Sequence, residues 1–590
     1  MKTIQSTVIA VGAELPEPAD RVCDVVMRQA RRDPDHPAVV CGDVRHTYGE
    51  LAAAAVEVAR RIEADGYGAR SKRIAVPAVR AVTTVAHLLG ISYSGRSFVP
   101  VDPQAPSGTA DHVRAAAGLF VSLDPETGGV LRHGEPGDAA HAADSSLSGE
   151  AYVLFTSGST GLPKGVAVSQ YNLATSTEAR LAVYRPSPAS VFLLLSPFHF
   201  DSAMAGLWGT LSAGGTLVVA RESERRDPDA LLRLIAEHGV TDLLTVPSFY
   251  REMLAVWGRD AAGSAALASL RTVICAGEAL GQHVIDRHFA MLPEVRLANE
   301  YGPTECTVWS TYRIYDRPGR PTIGHPIPGS TLHLLDDRRR PVPPGAAGQI
   351  AVSGPGVAAG YVADRQRTEA RFVVLAEGPT GATRCYLTGD VGRWSPEEGL
   401  EFAGRLDNEI KIRGVRIAAE AVEEALAAHP GVQAVAVAYD AEAATSYAFV
   451  VAAPDRTPDP AAIRSTGRAA LGAAAVPDRV ILVEAFPRTA HDKIDRAALL
   501  AAARRPAAAT ADRDRGLAER VAQAWAETLG VEVRDDTAET FFELGGNSLT
   551  VLRLTRALGA IAGRRIGVKD VYHAGTIALQ TELLTAGGGR

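Results

Sequence analysis

The sequence LFTSGSTGLPKGV, residues 154–166, decides how the rest of the chain is read. It continues an apolar run at 152–155 that predicts a buried strand, so its glycines and hydroxyls fall where a strand gives way to a loop. Glycine lets a backbone bend close to a bulky anion. Thr156, Ser157, Ser159 and Thr160 supply hydroxyl and N–H donors around Gly158, and Lys164 adds a positive charge. The loop therefore reads as a phosphate cradle. It is not the G-x-x-x-x-G-K-[ST] P-loop, because Lys164 follows Leu162-Pro163 and is followed by Gly165, which leaves no hydroxyl for magnesium.

Bulk properties set the frame. At 590 residues the chain is too long for one core, and the length corresponds to about three or four domains. Hydrophobic residues make up 46% and charged residues 22%, a globular balance. The net charge of −7 and the lack of a long basic run argue against nucleic acid as a partner, with Arg338-Arg339-Arg340 read as a solvated turn. Cys23, Cys41, Cys275, Cys306 and Cys385 are scattered and never spaced as C-x-x-C, which fits a reducing cytoplasm without disulfides or zinc. The N-terminus has an apolar stretch of only about six residues, shorter than a signal peptide's core of roughly 7–15. No run approaches membrane-spanning length.

Along the chain, apolar strands alternate with helical spacing. Strands are predicted at 98–101, 191–195, 216–219, 242–246, 271–275 and 296–298, with helices at 82–91, around Trp208, at 230–238 and at 284–290. Such alternation implies parallel sheets with right-handed crossovers, whose ligands gather at the carboxyl ends of the strands. Residues 123–148 are crowded with Gly, Asp, Ser and Pro and predict loops with a strand or two.

The segment NEYGPTECT, residues 299–307, follows the last of those strands. Tyr301 offers a flat face, Gly302-Pro303 a fixed turn, and Glu305 a hard oxygen suited to Mg2+ beside phosphates. Together the strings at 154–166 and 299–307 resemble the adenylate-forming superfamily of acyl-CoA synthetases, luciferases and the adenylation domains of non-ribosomal peptide synthetases. The resemblance implies that ATP and Mg2+ are bound. Tyr301 then stacks on the base, Thr304 touches the α-phosphate and Glu305 holds the metal. Thr156, Thr160 and Lys164 join Glu305 in catalysis, and Ser157, Gly158, Ser159, Gly277, Glu278, Asn299, Gly302 and Arg405 complete the nucleotide site. In YLTGD, residues 386–390, Asp390 is the natural acceptor for the ribose hydroxyls.

The strings GRLD at 404–407 and KIRGVR at 411–416 resemble the hinge and first strands of the family's small C-terminal subdomain, with Asp407 as the hinge. Ala418 and Ala421 stand where the family usually carries acidic residues. PRTAHDKIDR, residues 487–496, carries the last lysine motif. Lys493 is implied to bridge the substrate carboxylate and ATP, with Asp492 in place of the usual glycine. Beyond an Ala/Arg-rich linker, FFELGGNSL at 541–549 resembles a peptidyl carrier domain. Ser548, at the start of a predicted helix, is the implied attachment point of 4′-phosphopantetheine, whose phosphodiester suits a helix N-terminus. The expected fold is α/β: a large N-terminal lobe of parallel-rich sheets with flanking helices (1–404), a small mobile α+β subdomain (405–505), a linker (506–514) and an all-α four-helix carrier domain (515–590).

FHFDS, residues 198–202, distinguishes the branches. In amino-acid-activating members the aspartate at the position of Asp201 pairs with the substrate's α-ammonium, and a desolvated pair that loses one partner costs about 3–5 kcal/mol. By family position the side-chain pocket is Ser202, Ala205, Thr245, Ile274, Ala276, Glu300, Val308 and Trp309, with Lys493 closing the carboxylate end. Small Ser202, Ala205 and Ala276 leave room and Trp309 takes some back. Glu300 either bonds a polar side-chain tip or turns away beside Tyr301. A medium or large, mostly neutral side chain, aromatic or branched, is the expectation. The implied activity is ATP-dependent formation of aminoacyl-AMP and its transfer to the chain's own carrier thiol. No condensation or thioesterase domain is expected within this length, so the product passes in trans to a condensing or tailoring enzyme. A phosphopantetheinyl transferase and a small MbtH-like activator protein are further partners, and neither nucleic acid nor membrane is. The rival readings are an aryl- or acyl-acid ligase, which Asp201 disfavours, and a carrier with a degenerate adenylation half, favoured only by Ala418, Ala421 and Asp492.

Overall fold

Short runs of branched residues bounded by turns build the two sheets that carry the site. The first has nine strands in the spatial order His325–Pro326, Thr311–Tyr315, Arg296–Tyr301, Thr272–Ala276, Asp242–Thr245, Val191–Leu194, Thr216–Val219, Pro37–Cys41 and Val44–Thr47. Its inner six strands, from Arg296–Tyr301 to Pro37–Cys41, are parallel, and the edge pairings are antiparallel. The second has seven strands, with Glu150–Thr156, Ser97–Val101, Arg73–Pro77 and Val121–Leu123 parallel at its centre. A third, antiparallel sheet joins Val8–Val11, Thr331–Leu335, Ala347–Ser353, Gly381–Ser395, Phe372–Gly378 and Gly399–Arg405.

These features come from a computed structural model. It describes residues 8–585 except 67–69, 134–145, 157–162, 259–264, 344, 379–380, 407–408, 413–414, 441–444, 454–455, 457, 472–475, 488–493, 505–515, 530–532, 536, 538, 543, 545, 547 and 565. The chain divides into two compact units, the first ending at Asp407 and the second running Asn408–Arg590. The α/β class expected from the sequence is the class observed, and the carrier region is helical.

Helices Val82–Tyr93, Asp201–Ser212 and Gln170–Tyr184 are buried on nearly every side, as helices sandwiched between layers must be. Phe98, Tyr152 and Trp208 pack together in the central core, with Phe98 and Tyr152 stacked at 5.5 Å. Gln170–Tyr184 starts at a capping box in which Ser169 and Asn172 satisfy each other's backbone N–H groups. One boundary differs from expectation. The strand expected to end at Ala298 runs on to Tyr301, because Asn299, Glu300 and Tyr301 pair with Arg313, Tyr312 and Thr311 of an antiparallel neighbour.

In the second unit, Val432–Asp440, Thr445–Ala452 and Arg479–Leu482 form a sheet covered by helices Ala419–Ala427 and Pro460–Leu471. Further on, helices Leu517–Leu529, Ser548–Ala562, Val568–His573 and Ile577–Thr585 enclose a separate core around Trp525, Phe541 and Leu554. Trp525 Nε1 donates to Gln580 Oε1 at 2.7 Å, which satisfies the polar end of a fully buried indole. No helix among the described residues is long and apolar enough to cross a membrane.

Candidate active site

The functional residues gather where parallel strands end, as the fold class dictates. Thr156 closes strand Glu150–Thr156 and lies opposite Lys164 in the antiparallel pairing with Lys164–Ser169. Lys164 Nζ reaches Glu305 Oε1 at 3.0 Å and donates to Tyr361 Oη at 3.3 Å. Tyr361 in turn donates to Glu305 Oε1 at 2.7 Å and lies 3.2 Å from the Tyr386 hydroxyl. Burial, and then the Glu305 charge, push the Tyr361 phenol far above its ordinary pKa, so it remains a donor. The cluster holds a fully buried carboxylate beside a lysine at the mouth of the predicted phosphate cradle.

A second cluster forms around Asp390. Tyr301 Oη donates to Asp390 Oδ2 at 2.6 Å, Arg405 pairs with Oδ1, and Thr388 Oγ1 accepts from the Asp390 N–H at 3.0 Å. Each carboxylate oxygen has two lone-pair directions, so both can still accept from a diol. Asn299 Nδ2 donates to Thr322 O, and its buried Oδ1 has no partner among the described residues. Gly277 adopts φ 84°, and Glu278 accepts from the Ser248 N–H at the start of helix Pro247–Trp257.

The third group surrounds Asp201, the first residue of helix Asp201–Ser212. Thr304 Oγ1 donates to Asp201 Oδ2 at 2.5 Å, and Ser202 Oγ donates to Ser196 Oγ at 3.0 Å. Helical spacing puts Asp201, Ala205 and Gly209 on one face. Facing it, the register aligns Ile274 with Ala298 and Ala276 with Glu300, so these four share one side of the sheet. Thr245 aligns with Cys275 and falls on the alternate side. Glu300 is not free to swing: Arg180 Nη1 and Nη2 donate to its two oxygens at 2.9 Å each, and Tyr184 Oη donates to Oε1 at 2.5 Å. The Arg180 guanidinium carbon lies 4.4 Å from the centre of the Trp309 ring, which itself stacks with Tyr184. Burial works against the Arg180 charge, but Glu300 outweighs it and holds the guanidinium pKa above its ordinary value.

Between these groups the backbone is tightly turned. Thr307 and Val308 take φ 55° and 82°, unusual for branched side chains, and are held by Ser176 Oγ donating to Thr307 O and Thr307 Oγ1 donating to Gly356 O. A Cβ on Gly302 would stand 2.3 Å from the Trp309 Cα. Gly302→Ala is therefore expected to displace the turn that carries Thr304 and Glu305, at a cost of about 1–3 kcal/mol. Thermal melting would show a lower Tm, accompanied by a loss of ATP-dependent activity.

Ser157, Gly158, Ser159, Thr160, Lys493 and Asp407 lie outside the described residues. Ser548 begins helix Ser548–Ala562, the end of a helix that favours an anion such as a phosphodiester. The donor chemistry fits the expected ligands. Thr156 Oγ1 is buried without a hydrogen-bond partner among the described residues, which leaves a hydroxyl for a phosphate oxygen. Among the same residues no group of three or more His, Cys, Asp or Glu could cage a metal. Glu305 would thus hold Mg2+ together with phosphate oxygens and water, the arrangement Mg2+ favours. Sequence reasoning missed Arg180, Tyr184 and Tyr361. The one signal for Arg180 was a lone long cation among the small residues of STEARLAVY, 176–184.

Three family patterns match the chain: AMP-binding enzyme over residues 26–362, AMP-binding enzyme C-terminal domain over 421–493, and phosphopantetheine attachment site over 519–584. The chain is 35% identical over 566 residues to phosphinothricin tripeptide synthetase PhsB of Streptomyces viridochromogenes, an alignment covering 91% of this chain and 47% of that protein. It is 33% identical over 588 residues to a dimodular nonribosomal peptide synthase of Bacillus subtilis, covering 94% of this chain and 24% of that protein. The chain thus spans under half the length of either relative. Among solved structures, holo-PA1221, described as a non-ribosomal peptide synthetase protein containing adenylation and PCP domains bound to a vinylsulfonamide inhibitor, superposes with a TM-score of 0.79. The identity is 27%, and the match covers 96% of this chain and 97% of that one.

Proposed function

The chain belongs to the AMP-binding enzyme family, as an adenylation domain joined to a carrier domain of the non-ribosomal peptide synthetase kind, and from that premise we propose that it activates an α-amino acid and loads it onto its own carrier. Its cofactors are ATP, Mg2+ and covalent 4′-phosphopantetheine. The observation that carries the reading is the hydrogen bond of 2.5 Å between Thr304 and Asp201. One residue is assigned to the α-phosphate and the other to the substrate ammonium. Ammonium and carboxylate share one carbon in an α-amino acid, so a nitrogen held at Asp201 brings the carboxylate beside the reacting phosphorus.

A carboxylate oxygen forms the new bond to the α-phosphorus, the bond to pyrophosphate breaks, and aminoacyl-AMP remains. No protein nucleophile is required. Thr156, Thr160 and Thr304 orient the phosphates, while Lys164 and Lys493 offset charge that develops as pyrophosphate departs. Glu305 would hold Mg2+, which would add to that neutralisation. Asp390 and Arg405 fix the ribose, and Tyr301 the base. Ser548 would carry the phosphopantetheine arm, attached by a phosphopantetheinyl transferase, and its thiol would take the acyl group as the acyl–phosphate bond breaks and AMP leaves. The proposal assigns residues 1–404 to the core, 405–505 to a subdomain hinged at Asp407, 506–514 to a linker and 515–590 to the carrier, and includes hand-over to a condensing or tailoring enzyme.

The test separates the half-reactions. Lys493→Ala is expected to lower ATP–pyrophosphate exchange about a hundredfold, the scale for losing one charge-stabilising donor. Thiolation from supplied aminoacyl-AMP should continue. Equal loss of both activities would contradict this division of roles.

A further inference from the structure

Helix Asp201–Ser212 shares one core with Ile274 and Ala298 of the nine-stranded sheet, and beside Gly209 that core meets an ion pair. Asp201 marks one end of the helix face, and Gly209 lies two turns on, about 12 Å along the axis. A Cβ on Gly209 would meet Arg180 Cδ at 3.0 Å, so Arg180 lies across the helix face at the end opposite Asp201. From there its guanidinium reaches Glu300, on the side of the sheet that carries Ile274 and Ala276.

The hydrogen-bonding inventory of this floor is uneven. A guanidinium has five N–H donors, and Arg180 places two on Glu300. The other three have no acceptor among the described residues. Glu300 already accepts from Arg180 twice and from Tyr184 once, leaving little acceptor capacity beside that surplus of donors. The Trp309 ring under the guanidinium fixes its plane. Both side chains are buried, Arg180 with 7% of its surface exposed and Glu300 with 2%.

Resting on the amino-acid-activating reading above, we infer that Arg180, with Glu300, determines specificity and selects a neutral side chain whose tip accepts one hydrogen bond and donates another, a carboxamide or an imidazole. The accepting atom takes an Arg180 N–H, and the donated bond goes to the remaining lone pair of Glu300. A carboxylate tip would put two anions against one cation in a buried site, and an ammonium tip two cations against one anion. A hydrocarbon tip would leave the Arg180 donors unpaired, the situation in which polar pockets reject analogues most strongly.

ATP–pyrophosphate exchange with glutamine, asparagine, histidine, leucine, phenylalanine, glutamate and lysine tests the assignment. At least one of the first three should exceed all of the last four by on the order of a hundredfold in kcat/KM. Replacing both members of the pair, Arg180→Leu with Glu300→Leu, avoids stranding a buried charge. That double variant should keep its Tm and its KM for ATP while shifting the preference to leucine or phenylalanine. An apolar or charged substrate leading in the wild type, or an unchanged order in the folded double variant, would overturn the assignment and leave amino-acid activation intact. Failure of every amino acid would instead sink the activation reading.

Discussion

Asp201→Ala is expected to reduce kcat/KM for the amino acid in pyrophosphate exchange by roughly 10²- to 10⁴-fold. The carboxylate sits at the first position of helix Asp201–Ser212, takes a hydrogen bond from Thr304 and faces the buried Tyr152 phenol, whose pKa it helps burial to raise. An ammonium brought there loses its water and gains one anion. Removing that anion leaves a desolvated cation alone, a loss of about 3–5 kcal/mol. The defect should fall on KM for the amino acid, leave KM for ATP near the wild-type value and spare aryl or fatty acids that lack the ammonium. Stability should change little, because a carboxylate in the first turn of a helix contributes through the helix dipole only about 0.3–1 kcal/mol. Wild-type exchange rates in this variant would mean that the ammonium is held elsewhere.

Ser548→Ala is expected to abolish loading altogether while pyrophosphate exchange continues at the wild-type rate. Thr156, Asp201, Glu305 and Asp390 lie in the unit that ends at Asp407, Lys493 precedes the carrier in sequence, and Ser548 begins a helix of the carrier core around Trp525. A hydroxyl lost there removes the anchor for the thiol and leaves the nucleotide chemistry untouched. A variant that lost exchange as well would show that the carrier contributes to adenylation directly.

What could be read in advance was whatever lay contiguous in the chain. The phosphate cradle, the turn at 299–307 and Asp390 each sit in a short string whose residue types state their chemistry, and alternating strand and helix periods fixed the parallel sheets. Pairings across long separations were invisible. Asn299, Glu300 and Tyr301 became strand because an antiparallel neighbour returns beside them, a fact carried by residues 311–313. Glu300 had two open readings because its partner Arg180 lies 120 residues away. Helix Gln170–Tyr184, which delivers that partner, is buried on almost all sides and mixes Thr175, Ser176 and Thr177 with apolar residues, so it has no amphipathic stripe to announce it. The antiparallel sheet through Thr331–Leu335 and Gly381–Ser395 escaped for the same reason.

One event carries the whole proposed function, the passage of an activated amino acid onto Ser548. Intact-mass spectrometry of the wild-type chain treated with a phosphopantetheinyl transferase and coenzyme A, then with MgATP and a pool of amino acids, follows it directly. Two successive mass increases are expected, first the prosthetic arm and then one amino-acid residue, the second only with ATP. A chain that takes up the arm and never the amino acid, or that never takes up the arm, would contradict it.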